Sequence, residues 1–152
     1  MPYDIGDLGG DGQGARRLLA LADYLETVPE RSYDHRTWRR QRPDGSWAMC
    51  ALGHGASALP EVIGLRWREP GSSDIVRIDG SGFTEDVLTL ASEAFGLTED
   101  EARMIFGVGL YTVAFYGASA VFGVKPKRVA ATIRAYVIAK AARAGAYPVG
   151  AR

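Results

Sequence analysis

The spacing of apolar side chains predicts an amphipathic helix near the start of the chain. Between residues 15 and 28 the apolar residues recur three or four positions apart and so share one helical face: Leu18, Leu21, Ala22, Leu25 and Val28. Pro29 ends this pattern, because proline disfavours helical backbone in the residue before it. The first 14 residues contain five glycines and three aspartates, which bury too little apolar surface to offset their ordering entropy. We therefore predict a flexible N-terminal arm over residues 1–14 and a single helical domain over residues 15–147.

A second apolar stretch, Trp47–Pro60, consists mostly of small residues. Its pattern predicts a short helix at the centre of the core, where Gly53 and Gly55 allow neighbouring elements to approach closely. We expect the rest of the domain to pack around this helix.

The remaining periodicity predicts one hairpin and three further helices. Residues 65–69 and 74–79 alternate polar and apolar positions around a P-G-S-S turn, which predicts a β-hairpin with Trp67, Ile75 and Ile78 facing inward. One helix should begin at Thr84 and end at Gly96, and the next should begin at Thr98 with a T-E-D-E capping box. The last should run from about Pro126 to Arg143. The predicted fold class is mainly α, a bundle of about five helices with a small β-hairpin.

Residues 104–124 contain no charged side chain. Their length approaches that of a membrane span, but four glycines and two tyrosines make a buried helix or an exposed partner surface the better interpretation. The aromatic residues that would form such a surface are Tyr111, Phe115, Tyr116 and Phe122.

The charge is balanced overall but uneven along the chain. The net charge of zero argues against generic nucleic-acid binding. Residues 84–101 carry six acids and no base, whereas residues 102–152 carry eight basic residues and no acid. Three of those bases stand at the start of the last helix, Lys125, Lys127 and Arg128. They could form an anion site, but we favour contact with the acidic 84–101 segment.

The loop at residues 31–42 carries five arginines. Tyr33 and Trp38 are spaced to insert into the core and anchor it. In one interpretation the loop binds a partner protein, or phosphates and a stacked base, through Arg36, Trp38, Arg39 and Arg40. The favoured alternative is a solvated loop with a buried anchor.

Cys50 and His54 are the residues most suggestive of chemistry. Four positions apart on a helix, they would share a face, as a thiolate–imidazolium nucleophile requires. They are also two of the ligands that a metal needs, but only His35 remains as a further nitrogen donor, so we assign no metal and no cofactor. Buried packing is the favoured interpretation.

A single cysteine excludes an internal disulfide and fits a reducing compartment. The N-terminus lacks a secretory signal pattern, so we predict a cytoplasmic protein.

Several blocks of the sequence resemble those of uncharacterised small helical proteins of bacteria and their phages. The blocks are LLALADYLETVP (18–29), YDHRTW (33–38), CALGHG (50–55), FGLTEDEARMIF (95–106) and PKRVAATIR (126–134). Members of that group often carry a second cysteine shortly before the position of Cys50 and an aromatic residue in place of His54, and this chain has neither. The resemblance implies a mainly helical fold and no particular activity.

These observations favour a non-enzymatic adaptor or regulatory protein that binds another protein, with a phage- or mobile-element-type accessory or inhibitory role suggested by the resemblance. Self-association is a further interpretation, and membrane binding is disfavoured. The first alternative is a small cysteine-dependent enzyme using Cys50 and His54. The second is nucleic-acid binding through the 31–42 loop and the basic last helix.

Overall fold

A computed structural model describes residues 12–107 and 123–143. The described helices are α1 (Gly12–Leu25), α2 (Ala51–Ala58), α3 (Pro60–Ile63), α4 (Val87–Phe95), α5 (Glu99–Phe106) and α6 (Pro126–Arg143). Four short strands form two antiparallel pairs, β1 (Arg40–Gln41) with β2 (Trp47–Ala48), and β3 (Leu65–Trp67) with β4 (Ile75–Arg77). The predicted fold class, mainly α with a small hairpin, is confirmed. The β1–β2 pair was not predicted.

The first and last described helices, α1 and α6, form the most extensive packing contact between any two described elements. The predicted apolar face of α1 is buried, and α6 covers it with Val129, Ile133 and Val137. At the edge of this contact Arg134 donates to Asp23 (2.8 Å) and Glu26 (2.6 Å). The partner of the basic last helix is therefore mainly α1.

The described part of helix α1 runs from Gly12 to Leu25, so the predicted start at residue 15 and the predicted end at residue 28 were both three residues too late. Gly14 lies so close to the carbonyl of Phe95 that a β-carbon would overlap it, so this glycine allows α1 to approach the end of α4. Residues 1–11 of the predicted arm lie outside the described residues.

Local capping signals account for the α4–α5 corner. Thr98 and Glu101 form the predicted capping box, and Gly96 ends α4 in the left-handed conformation (φ 64°). Lys140 of α6 donates to the carbonyl of Gly96 (2.7 Å). The predicted start of α4 at Thr84 was wrong. Asp86 is the N-cap, because its carboxylate accepts a hydrogen bond from the backbone of Leu88 (2.7 Å).

The predicted helix over residues 47–60 was wrong in its first turn and at its end. The P-D-G turn places Gly45 at φ 85° and folds the chain back, so that Trp47 and Ala48 pair with Gln41 and Arg40. Helix α2 starts only at Ala51, and Pro60 begins the separate short helix α3. The predicted close approach is confirmed. A β-carbon at Gly53 would overlap the carbonyl of Trp38.

The β3–β4 hairpin has the predicted position, and it buries Leu65 and Ile75. Val76 is buried as well, so β4 does not alternate strictly, whereas Trp67 and Ile78 are only partly buried. Within the described ranges, no helix combines the length and the apolar character that a membrane crossing would require.

Candidate functional site

The β1–β2 hairpin presents two neighbouring arginines to different surroundings. Arg39 precedes β1, and Arg40 is its first residue. Because successive side chains of an extended segment point in opposite directions, Arg39 reaches one side of the hairpin and Arg40 the other. Each of the two sides carries its own cluster.

Arg39 lies between two tryptophan rings. Its guanidinium carbon is 4.9 Å from the ring centroid of Trp47 and 4.4 Å from that of Trp67. Both distances fall within the range of cation–π attraction. We call Arg39, Trp47 and Trp67 the Trp–Arg cluster. Trp47 is 39 % exposed, so one wall of the cluster faces solvent.

Helix α2 holds the Trp–Arg cluster in place through Ser57, which accepts a hydrogen bond from Trp67. The indole nitrogen of Trp67 donates to the hydroxyl of Ser57 (2.7 Å), and this hydroxyl lies 3.3 Å from the sulfur of Met49. Ser57 belongs to α2, which is packed into the core. The orientation of Trp67, and through it that of Arg39, is therefore set before any ligand binds.

Among the described residues, Arg39 has no acidic partner for its charge. Its Nε and Nη2 atoms are buried and have no hydrogen-bond partner within the described ranges, and among these residues Arg39 forms no ion pair. Within residues 12–107 and 123–143, the two rings are the only groups placed to compensate this cation.

On the other side of the hairpin, Asp34 accepts hydrogen bonds from two arginines. Arg36 donates through Nε (3.0 Å) and Nη2 (3.2 Å), and Arg40 through Nη2 (3.1 Å). Burial raises the pKa of Asp34, but these hydrogen bonds and the charge of Arg36 outweigh it, so the pKa lies below its ordinary value. Asp34 is therefore ionised at neutral pH and orients both guanidinium groups.

The predicted loop residues thus separate into distinct roles. Tyr33 is buried and Trp38 is partly buried against the core, which confirms that they anchor the loop. Arg36 and Arg40 belong to the Asp34 pair, and Arg39 belongs to the Trp–Arg cluster. Sequence reasoning missed Trp47 and Trp67 as the partners of Arg39. The P-D-G turn before Trp47 was the one local signal of the pairing that brings Trp47 there.

Cys50 and His54 are both buried, and their side chains point to different partners. Cys50 is the N-cap residue of α2. Burial raises the pKa of its thiol to about 12. His54 Nε2 donates to the carbonyl of Ser32 (2.8 Å), and the imidazole stacks on Tyr33 with 6.1 Å between ring centroids. Burial lowers the pKa of His54, so the ring is neutral near pH 7. A neutral thiol and an imidazole already bonded elsewhere do not support a nucleophilic pair.

We expect Cys50 to react with a thiol reagent about a thousandfold more slowly in the folded protein than in urea at the same pH, since only the thiolate attacks and burial disfavours it. The reaction can be followed by absorbance with a chromogenic disulfide. Rapid reaction of the folded protein, with a midpoint well below that of a free thiol, would instead support the enzyme alternative.

The other candidate residues are spread over the molecule. Lys125 forms an ion pair with Glu30 (3.4 Å), which corrects the predicted contact of this lysine with the 84–101 segment. Lys127 and Arg128 are exposed at the start of α6. Acids of the 84–101 segment pair instead with Arg77 and Arg103.

The predicted aromatic surface, Tyr111, Phe115, Tyr116 and Phe122, lies outside the described residues. Within residues 12–107 and 123–143, no group of three or more acidic, histidine or cysteine side chains is placed to hold a metal ion.

Comparison of this chain with protein-family models, with curated proteins and with solved structures finds no match.

Proposed function

We propose that this protein is a non-enzymatic adaptor or regulatory protein that binds another protein through the Trp–Arg cluster. The observation that carries the proposal is the guanidinium of Arg39, held between two tryptophan rings at the surface without an ion pair in the described part of the chain. Tryptophan and arginine are enriched among the residues that dominate the binding energy of protein interfaces.

The cluster favours a partner with a carboxylate beside an apolar side chain. The exposed wall of Trp47 offers apolar and aromatic contact, and the uncompensated cation favours an acidic group next to it. The fixed position of Trp67 lowers the entropy cost of ordering the site on binding. An accessory protein that covers an acidic surface of a host enzyme would use contacts of this kind.

Nucleic-acid binding receives less support from the same region. Arg36 and Arg40 share the carboxylate of Asp34, and Arg134 of the basic last helix bonds Asp23 and Glu26. These pairings leave too few uncompensated arginines along one face to follow a polyanionic backbone, which must be contacted at several phosphates at once. Arg39 also covers one face of each tryptophan ring on which a base would stack.

The test compares partner capture by three immobilised proteins, the wild type, Trp47→Ala and the control Phe83→Ala. Phe83 is also exposed (50 %) and also lies under a guanidinium, that of Arg68 at 3.6 Å, but it is not part of the cluster. We expect wild type and Phe83→Ala to retain a protein that Trp47→Ala loses, with a loss of affinity of about tenfold or more. Equal melting temperatures would show that all three proteins are folded.

Two outcomes would contradict the proposal. One is capture of the same proteins by all three variants, because the cluster would then have no part in binding. The other is capture that disappears after nuclease treatment, because the bound partner would then be a nucleic acid.

A further inference from the structure

A cavity lies on the opposite side of the β1–β2 hairpin from the Trp–Arg cluster. Its volume is about 210 Å³, and its wall is almost entirely polar. The residues that contribute charged or hydrogen-bonding groups to it are Tyr33, Asp34, His35, Arg36, Arg40 and Arg42. Val124, just before α6, closes one side. The cavity is smaller than the pockets that hold drug-sized ligands, and it lacks their apolar lining.

The cavity carries an excess of positive charge. Three guanidinium groups face one carboxylate, and Arg42 forms no ion pair within the described ranges. His35 adds no charge at neutral pH, because burial lowers its pKa to about 4. Counted over the described residues that line it, the cavity therefore carries a net charge of about +2.

The depth of these groups decides what an entering ion meets first. The side chain of Asp34 is only 10 % exposed, whereas those of Arg36 and Arg40 are 44 % and 53 % exposed. The carboxylate thus lies underneath and the arginines lie toward the opening. Asp34 fixes the orientation of both guanidinium groups through three hydrogen bonds, so much of their side-chain entropy is already lost before a ligand arrives.

We propose that this cavity binds a phosphate dianion, either inorganic phosphate or the phosphate group of a small monoester. A planar guanidinium fork matches the oxygens of a phosphate group and binds them with charge-assisted hydrogen bonds. A dianion also matches the excess charge of the wall. The inference goes beyond the proposed function, because it concerns the other side of the hairpin and none of the residues of the Trp–Arg cluster.

Arg42 is the residue of choice for the test, and Arg31 is its control. Arg42 lines the cavity without supporting Asp34, so the Arg42→Gln variant leaves the Arg36–Asp34–Arg40 arrangement in place. Arg31 is an exposed arginine of the same loop that does not line the cavity. Arg31→Gln removes the same net charge from the protein, so only a local effect of Arg42 distinguishes the two variants.

The measurement is isothermal titration calorimetry with inorganic phosphate at low ionic strength and neutral pH. We expect wild type and Arg31→Gln to bind with a Kd of about 1 mM or tighter and Arg42→Gln to bind at least about tenfold more weakly. Titration of the wild type with a small phosphate monoester separates the two sources. If the monoester binds more tightly than inorganic phosphate, the ligand of the cavity is a monoester. If the two bind equally, the ligand is free phosphate.

The proposal is overturned if the wild type does not bind phosphate, or if both variants lose affinity equally, because the attraction would then come from the net charge alone. The test is independent of partner capture by the Trp–Arg cluster, since Trp47→Ala should bind phosphate as the wild type does.

Discussion

Replacing Gly53 with alanine is expected to destabilise the protein by about 3 kcal/mol or more. Gly53 lies in α2 against the loop that carries the arginines, and an added β-carbon would overlap the backbone carbonyl of Trp38. The obstructing atom belongs to the backbone and cannot rotate away, so either α2 or the loop must shift. For a chain of this length, such a loss lowers the melting temperature by about 10 °C.

Gly55→Ala is the matched control for that prediction. Gly55 lies in the same helix, but the atoms that an added β-carbon would meet are the terminal methyl groups of Ile63 and Leu21. These ends can move, and alanine is favoured over glycine in a helix by about 1 kcal/mol, so we expect a net change within about 1 kcal/mol of wild type. Thermal melts of the three proteins by circular dichroism would measure the difference. Equal melting temperatures for the two variants would show that the loop can shift away from α2 at little cost in free energy.

The second large effect is a loss of stability between about pH 6.5 and pH 4. Burial lowers the pKa of His35 to about 4, and it lowers that of His54 as well. In this interval the unfolded chain binds protons that the folded chain does not, so the free energy of unfolding falls as the pH falls. The stabilising contribution of His35 to the free energy of unfolding is present in full above the pKa that this histidine has in the unfolded chain. As the pH falls towards 4, up to about 3 kcal/mol of this stabilisation is lost.

Urea denaturation at a series of pH values would measure this dependence. Carboxylates with lowered pKa values, such as Asp34, lose their stabilising contribution only as the pH falls below about 5, so the histidines dominate the interval above about pH 5. Replacing His35 with glutamine should lower stability at pH 7, because the hydrogen bond between Tyr33 and His35 Nδ1 (2.8 Å) is disturbed, and it should flatten the pH dependence. An unchanged slope in His35→Gln would assign the effect to other groups.

The parts of the fold that follow from local signals could be predicted from the sequence. The apolar face of α1, the Thr98–Glu101 capping box and the start of α6 at Pro126 each depend on residues within one or two turns, and all three are confirmed. The Trp47–Ala48 strand could not be recognised in the same way. A strand of two residues has no measurable period, and its apolar side chains merge with those of the following helix.

The candidate sites depend on contacts between distant parts of the chain. Arg39 meets Trp67 only because α2 and the β3–β4 hairpin pack together. Arg134 bonds Asp23 in α1, at a separation of 111 residues, and Glu26 just after that helix. Charge segregation along the sequence was recognisable, but it could not assign the pairs. The arginine-rich loop was recognisable too, whereas the division of its arginines between two sides of a hairpin required the strand pairing of β1 with β2.

The packing of α1 against α6 has a consequence for how the chain is made. The ribosome releases α1 more than 100 residues before α6, and until then the face carrying Leu18, Leu21 and Leu25 has no cover from Val129, Ile133 and Val137. Contacts between segments so far apart require closure of a long loop, which slows folding. Helices α2, α3 and α4 also pack against α1, so the nascent chain exposes only the part of this face that α6 covers. Apolar surface that is exposed in this way during synthesis favours aggregation until α6 arrives.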